Sequence, residues 1–203
     1  MRRIFSSSAG VLILFVFLLS GHAFAIDKAS FVAPENKALV VFIQNEKVDR
    51  KMVFTVFGSD RRCVAEVGGR QAEVLPVEPE PLILYVTGYN STRRVEIYPE
   101  AGRTYFVRLY TVQKAMGAVP EVTLVRRGSE DHMQLRFWLD GAFVTRALED
   151  PECYGRPLKE RKNRTTRRLN DANADWKNGD DAYRDRHMLI EGDGLTADDV
   201  ELF

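Results

Sequence analysis

Short apolar runs recur about every ten residues between Lys37 and Thr145, with turn-forming residues between them. Their length and their β-branched and aromatic side chains are typical of strands rather than helices. Such a series predicts an all-β domain. We expect an antiparallel β-sandwich of about seven or eight strands, of the immunoglobulin-like or transthyretin-like kind, although the Cys–Trp–Cys spacing of antibody domains is absent.

The stretch Val95–Val112 is predicted to form the central hairpin of this domain. Apolar and polar side chains alternate along both of its arms, which is the period of a half-buried strand. Pro99 and Gly102 lie between the arms, where a turn needs them. The run His132–Leu139 alternates in the same way and is predicted to be a later strand of the sheet.

The chain begins with the three parts of a secretory signal. Arg2 and Arg3 are basic, Val11–Leu19 is apolar, and Ala23 and Ala25 provide the small residues that signal peptidase reads. The apolar core is much shorter than the roughly 20 residues that span a bilayer. We therefore predict cleavage after Ala25, a periplasmic or secreted protein, and no transmembrane segment in the mature chain.

Two cysteines, Cys63 and Cys153, lie in the predicted mature chain. Cysteines in an exported protein usually pair, and their wide spacing matches neither a redox pair nor a zinc site. A bridge would close a loop of about 90 residues and would stabilise the fold by roughly 4–5 kcal/mol in the chain-entropy model. Two unpaired thiols are the alternative.

The composition changes near Asp150, which predicts a β-domain over residues 26–150 and a charged tail over residues 151–203. The first part of the tail is basic and the second part is acidic. Partly apolar side chains recur at steps of three and four residues from Pro157 to Lys177, so we predict one amphipathic helix there.

Arg164, Arg167 and Arg168 belong to the basic part of this helix and are candidate binding residues for an anionic envelope component. The alternative is that they are solvated and pair with the acidic residues that follow. Lys plus Arg and Asp plus Glu each number 29, so no global charge favours nucleic acid as a partner.

Aromatic residues in and beside the central hairpin form a second candidate site. Most of them suit the core, but Tyr98, Phe106 and Tyr110 are predicted to lie on the outer face of the strands. If these three side chains lie together, they form an exposed patch that could bind a partner.

Catalytic chemistry finds little support in the sequence. His132 and His187 are the histidines of the predicted mature chain, and both are predicted to be solvated. No nucleophile-elbow or metalloprotease motif occurs. We therefore expect no enzyme activity, no cofactor and no metal site.

Part of the sequence also resembles a known protein family. The segments Val95–Ile97 and Ala101–Val107 resemble the hairpin motif of a bacterial envelope family of unknown function, whose members are small exported β-sandwich domains and are often lipoproteins. The similarity covers about residues 37–140. This chain departs from the family by lacking a cysteine near the cleavage site that could carry a lipid. The resemblance implies fold and compartment, and it carries no activity.

The sequence thus leaves two hypotheses. The first is an exported, non-enzymatic binding or assembly module of the cell envelope, with an envelope protein or an anionic component as its partner. The second is an envelope hydrolase with a dispersed active site. A conserved polar cluster in a concave pocket would favour the hydrolase, whereas an aromatic or edge-strand patch without perturbed titratable groups would favour the binding module.

Overall fold

A computed structural model describes residues 28–45, 52–114, 117–146 and 158–202. In this part of the chain, ten strands form two sheets of five strands each. Numbered along the chain and given in spatial order, the strands of sheet A are β8 (Gly117–Val125), β7 (Thr104–Lys114), β1 (Ala38–Gln44), β4 (Gln71–Val77) and β9 (Phe143–Arg146). Those of sheet B are β10 (Met188–Leu189), β6 (Thr92–Ile97), β5 (Leu82–Thr87), β2 (Phe54–Gly58) and β3 (Cys63–Val67).

Both sheets are mixed. β1 runs antiparallel to β4 and parallel to β7, β9 runs parallel to β4, and β10 runs parallel to β6. The predicted β-rich fold is confirmed, but the prediction of purely antiparallel pairing is wrong. The physical reason is that the chain repeatedly crosses between the sheets, so a strand can arrive beside a neighbour in the same direction instead of through a tight hairpin.

The stretch Val95–Val112 illustrates this crossing. It contains two strands, as predicted, but β6 ends at Ile97 in sheet B and β7 begins at Thr104 in sheet A. The connection turns at Gly102, which has a φ of 75° and donates its N–H to the Lys37 carbonyl at 2.8 Å. The predicted central hairpin is therefore wrong in its pairing, because side-chain alternation determines which face is buried and not which strand lies alongside.

The two sheets share one apolar core. The side chains of β1 and β7 that point toward sheet B meet those of β2, β5 and β6 and are fully buried, and several are large. The largest members of this inter-sheet core are Phe42, Phe54, Leu84, Ile97, Tyr105 and Leu109. This packing supplies the main apolar burial of the fold.

The opposite face of sheet A is also buried. It is covered by a 3-10 helix (Lys28–Phe31), by α1 (Glu130–Leu139) and by α4 (Ala197–Glu201). Burial on both faces explains why β1 is a continuous apolar run. The members of this second core include Phe31, Val41, Ile43, Phe106, Leu135, Leu139, Leu195 and Val200.

The outer face of sheet B is covered by α2 (Leu158–Asn178), which confirms the predicted amphipathic helix to within a residue at each end. Leu169 and Ala172 are buried against Tyr85. The Tyr85 hydroxyl donates to Asn173 Oδ1 at 2.9 Å, and the Arg94 guanidinium lies 4.9 Å from the centre of the Trp176 ring. These polar contacts thus add to the limited apolar packing between this helix and sheet B.

The segment His132–Leu139 is helical, so its prediction as a strand is wrong. The Ser129 side chain caps α1 by accepting the His132 N–H at 3.2 Å, and two acidic residues occupy the first turn. Leu135, Trp138 and Leu139 are the buried residues of the helix, and their spacing is that of one helical face.

The predicted tail contributes to the cores. Leu189 joins the inter-sheet core, while Leu195 and Val200 join the second core on sheet A. α3 (Asp181–Arg186) leads into β10, which pairs with β6. The described part of the tail is therefore packed against both sheets.

Several predictions concern residues outside the described ranges. These are the signal at residues 1–25 and the domain boundary near residue 150. Cys63 begins β3, but Cys153 is outside the described residues, so the bridge stays a prediction. Within the described ranges, the helices are all too short or too polar to cross a bilayer.

Candidate binding site

The turn from α1 into β9 forms one wall of a small cavity. α1 ends at Asp140, whose N–H is bonded to the Arg136 carbonyl at 3.0 Å, and Gly141 then adopts a φ of 65°. A Cβ at Gly141 would lie 2.3 Å from Arg70 Nη2. Glycine is therefore favoured at this position by its left-handed backbone, whereas the flexible Arg70 side chain could move away from a Cβ.

The cavity has a volume of about 120 Å³ and lies where β1 ends and where β4 and β9 begin. It is lined by Asn45, Arg70, Phe137, Trp138, Asp140 and Ala142. Two aromatic rings thus meet a guanidinium, an amide and a carboxylate. A cavity of this volume, with mostly polar walls, can hold a single side chain or a group of similar size.

Arg70 has an unusual backbone for a residue of its type. Its φ is 61°, in the left-handed region that residues other than glycine seldom adopt. Its carbonyl accepts the Phe143 N–H at 2.8 Å, which begins the pairing of β4 with β9. Backbone strain of this kind is often found at functional sites.

Large apolar side chains are exposed beside the cavity. Met133 and Phe137 lie one helical turn apart on α1 and are 70% and 75% exposed, and Phe143 at the start of β9 is 73% exposed. Single exposed apolar residues are ordinary, but three large ones along one turn and its flanking elements are typical of an interaction surface. We call the cavity and these three side chains the α1–β9 site.

Arg108 on β7 holds the inner side of this site in place. Its guanidinium lies 4.6 Å from the centre of the Trp138 ring and 5.1 Å from that of Tyr110. Its Nε also donates to Asn45 Oδ1 at 3.3 Å. The cation–π contacts and the hydrogen bond orient two of the cavity-lining side chains before any ligand binds.

A polar cluster around the buried Glu73 anchors β9 on the face toward sheet B. Glu73 is 7% exposed and accepts hydrogen bonds from the Thr145 hydroxyl and, at 2.9 Å, from the Gln71 amide. The Gln71 amide is also 2.7 Å from Thr145 Oγ1. These bonds add to the backbone ladder and fix the short strand β9 on sheet A.

The predicted aromatic patch is not assembled as expected. Phe106 is fully buried in the second core, 5.9 Å from Phe31 between ring centres, and cannot contribute to a surface. Tyr98 lies next to the end of β6 in sheet B, and its hydroxyl bonds to Glu96 at 3.2 Å. Tyr110 alone lies close to the α1–β9 site, through Arg108.

The three predicted arginines on α2 have different environments. Arg168 donates to the Tyr89 carbonyl at 2.9 Å and so ties the helix to the β5–β6 turn. Arg164 and Arg167 are exposed.

Acidic residues of the tail pair elsewhere among the described residues. Asp193 contacts Arg126 at 3.5 Å and Asp199 contacts Arg127 at 2.8 Å, near the start of α1. These contacts differ from the pairing with the basic helix that the sequence suggested as an alternative. Arg164 and Arg167 are left as solvated cations within the described part of the chain.

The histidines also differ from each other. His132 lies in the first turn of α1, where its Nδ1 accepts the Gly128 N–H at 3.1 Å. His187 was predicted to be solvated, but it is buried after α3, and its Nδ1 donates to the Tyr183 carbonyl at 2.8 Å. That prediction is wrong because α3 and β10 fold the charged segment around His187 back onto sheet B.

His187 lies near several interacting titratable groups, among them Tyr183, Arg93 and Glu121. Burial lowers its pKa below the usual value, although the bond to the Tyr183 carbonyl opposes this effect. Burial likewise raises the pKa of the Tyr183 phenol. Arg93 and Glu121 form an ion pair in the same region and influence both groups.

The sequence pattern does not reveal the α1–β9 site, because the alternation along His132–Leu139 predicts a strand. On such a strand Met133 and Phe137 would share a buried face with Leu135. A usable signal was Ser129 followed by two acidic residues, which begins a helix. On a helix, the exposed Met133 and Phe137 lie on a different face from the buried Leu135 and Leu139.

Comparisons with known proteins assign neither a family nor a function to this chain. No protein-family model matches this chain, and no curated protein shows significant similarity to it. Within the described residues, no group of three or more His, Cys, Asp or Glu side chains is arranged to hold a metal ion.

Proposed function

We propose that this protein is an exported, non-enzymatic binding module of the cell envelope that captures its partner at the α1–β9 site. The scaffold is a β-sandwich of the immunoglobulin-like or transthyretin-like kind. The observation that carries the proposal is the exposure of Met133, Phe137 and Phe143 around a cavity with aromatic and polar walls. Exposed apolar surface next to a preformed cavity is typical of recognition sites.

Export is supported by the order of basic, apolar and small residues at the start of the chain. The periplasmic or secreted protein should therefore begin at Ile26. Intact-mass measurement of protein recovered from that compartment tests the start, and thiol titration of the unfolded, unreduced protein tests the Cys63–Cys153 bridge. A chain that retains Met1 would contradict export, and two reactive thiols would contradict the bridge.

The hydrolase alternative has one feature in its favour, the buried cluster around His187. Its members are already engaged with one another, however. The Nδ1 of His187 is bonded to a backbone carbonyl, and the Glu121 carboxylate is held at both oxygens by Arg93. No nucleophilic side chain is hydrogen-bonded to His187 among the described residues, so the binding module is the better-supported proposal.

The proposal is tested with the purified mature protein and solubilised envelope extract. A captured protein is identified, purified and bound again in a two-component titration. Phe137→Ala should weaken this binding about tenfold, the loss expected when a central aromatic anchor is truncated. Ile190→Ala is the matched control, because Ile190 is exposed but lies after β10.

Equal binding by the wild type and Phe137→Ala would contradict the proposed site. Turnover of an ester, peptide or glycan by the purified protein that His187→Ala removes would instead support the hydrolase alternative.

A further inference from the structure

The helix α2 extends beyond the sheet that it covers. Asn173 of this helix accepts a hydrogen bond from Tyr85 within β5, whereas Arg168 donates to the carbonyl of Tyr89 in the turn after β5. The contacts therefore move toward the end of sheet B as the helix is followed back to its first residue. Because a helix rises about 1.5 Å per residue, residues 158–167 extend roughly 15 Å further in this direction.

This extending half of α2 is strongly basic. Residues 158–168 contain six basic side chains and one acidic side chain. Arg164 and Arg167 are exposed, and neither forms an ion pair with a carboxylate among the described residues. The exposed Asp171 on the next turn does not pair with either arginine. Arg164 and Arg167 are therefore available to an external anion.

Helix formation alone does not explain this distribution of charge. Arg164, Arg167 and Arg168 follow one another at helical spacings of three and four residues, so their like charges repel along the helix. Lys159 and Arg161 occupy the first turn, where the helix dipole disfavours cations. A negatively charged surface would offset both effects.

An exposed aromatic residue lies beside the basic half of α2. Tyr89 is 76% exposed in the turn between β5 and β6, and Arg168 donates to its carbonyl at 2.9 Å. The Tyr89 ring combines an apolar body with a polar hydroxyl, which suits the boundary between lipid and water. Tyr89 and the basic half of α2 thus belong to one surface at this end of sheet B.

From this arrangement we infer that Tyr89 and the basic half of α2 bind an anionic phospholipid surface. Arg164 and Arg167 are exposed on the convex surface of a helix, whereas small ligands usually bind in concave sites. Clusters of Lys and Arg are attracted to anionic headgroups without needing a pocket. The inference goes beyond the proposed function and does not depend on the α1–β9 site.

The fold keeps this surface apart from the α1–β9 site. α2 packs on the outer face of sheet B, and α1 packs on the outer face of sheet A. A chain bound to lipid through α2 would therefore direct the exposed Met133 and Phe137 away from the membrane. A protein partner and a lipid surface can thus be bound at the same time.

The test uses the purified mature chain and two kinds of lipid vesicle. One kind contains phosphatidylcholine alone, and the other has about a third of it replaced by phosphatidylglycerol. Co-sedimentation should show binding to the anionic vesicles only. This binding should be lost between about 0.1 M and about 1 M salt, because the screening length falls from roughly 10 Å to roughly 3 Å.

Charge-removing variants locate the lipid contact. The double variant Arg164→Gln, Arg167→Gln should bind anionic vesicles about thirtyfold more weakly, since each cation near such a surface contributes about a factor of five. The matched control is Arg136→Gln, Lys177→Gln, which removes the same charge from exposed positions on α1 and at the far end of α2. The control should weaken binding by less than about threefold, and urea unfolding verifies that both proteins are folded.

Two results would overturn the inference about lipid. The first is equal binding to neutral and anionic vesicles, or an equal loss of binding in the two double variants. The second is binding to heparin or to a single-stranded oligonucleotide that depends on Arg164 and Arg167 and persists at salt concentrations where vesicle binding is lost. That result would identify a linear polyanion as the partner.

The proposed function is distinguished by Phe137→Ala. This variant should bind anionic vesicles as the wild type does, because Phe137 lies on α1 at the other face of the fold. Loss of vesicle binding in Phe137→Ala would contradict the assignment of lipid to α2. Loss of partner capture alone in this variant bears on the α1–β9 site and leaves the lipid surface unaffected.

Discussion

Arg93 on β6 and Glu121 on β8 form a two-point ion pair that links sheet B to sheet A. The Nη2–Oε1 distance is 2.7 Å and the Nε–Oε2 distance is 3.1 Å. Both side chains are largely buried. A bidentate pair in this position fixes the relative placement of two strands that share no backbone ladder.

Glu121→Gln should therefore lower the free energy of unfolding by about 2–4 kcal/mol, because it leaves the Arg93 guanidinium buried without its counter-charge. Urea unfolding followed by circular dichroism measures this loss. Glu78→Gln is the matched control, since Glu78 pairs with Lys37 at 3.2 Å on the surface and should change stability by less than about 0.5 kcal/mol.

The effect of Glu121→Gln should depend on pH. Burial raises the pKa of Glu121, but the hydrogen bonds and charge of Arg93 outweigh burial and bring the pKa below the usual value of about 4.5. A carboxylate with a lowered pKa stabilises the fold above its unfolded pKa and loses that contribution in more acidic solution. The difference between wild type and variant should shrink below about pH 4.5, and a constant difference would contradict the assignment.

The tail should be as important to stability as the sheets. Leu195 is fully buried in the second core, and its backbone exchanges two hydrogen bonds with Thr104 at 2.8 and 2.9 Å. Leu195→Ala should cost about 2–4 kcal/mol through lost burial and the cavity that remains. Leu202→Ala, at a position that is 82% exposed in the same tail, should change stability by less than about 0.5 kcal/mol. Equal, small effects of the two substitutions would indicate a tail that is separable from the sheets.

The sequence predicted elements better than it predicted their partners. The apolar run of β1 and the partly apolar stripe of α2 are local patterns, and both elements form where expected. The pairing of β6 and β7 with strands other than each other depends on contacts distant in sequence. Alternation along Val95–Val112 contains no information about those contacts.

The prediction of a strand at His132–Leu139 is wrong for a different reason. Its apolar residues satisfy a period of two and also place Leu135 and Leu139 one helical turn apart. Tertiary burial of Trp138 and the cap at Ser129 decide in favour of the helix. The α1–β9 site exists only because this segment is helical. A sequence pattern that predicts a strand here therefore cannot predict the site.

Arg168 should contribute to the docking of α2, whereas Arg164 should not. Arg168 donates to the carbonyl of Tyr89, and Arg164 is exposed. We expect Arg168→Ala to lower the free energy of unfolding by about 1–2 kcal/mol through loss of this charged hydrogen bond. Arg164→Ala should change it by less than about 0.5 kcal/mol. Urea unfolding followed by Trp176 fluorescence, in a Trp138→Phe background, reports the docking of the helix, and equal effects of the two substitutions would contradict this assignment.

His187 should make the protein less stable in mildly acidic solution. Burial lowers its pKa in the folded state below the usual value of about 6.5, so the unfolded chain binds more protons as the pH falls through this range. The contribution of neutral His187 is fully present above about pH 6.5 and declines as the pH falls toward the lower folded pKa. Arg93 and Arg186 add to the depression of this pKa, and Glu121 opposes it.

The measurement compares wild type and His187→Gln in urea at pH 8 and at pH 5.5. Glutamine keeps a side-chain donor for the Tyr183 carbonyl but does not titrate. The wild type should lose more stability than the variant between the two pH values, and this difference isolates His187 from other titrating groups. An identical pH dependence of the two proteins would mean that His187 is protonated at the same pH in the folded and unfolded chains, contrary to its buried position after α3.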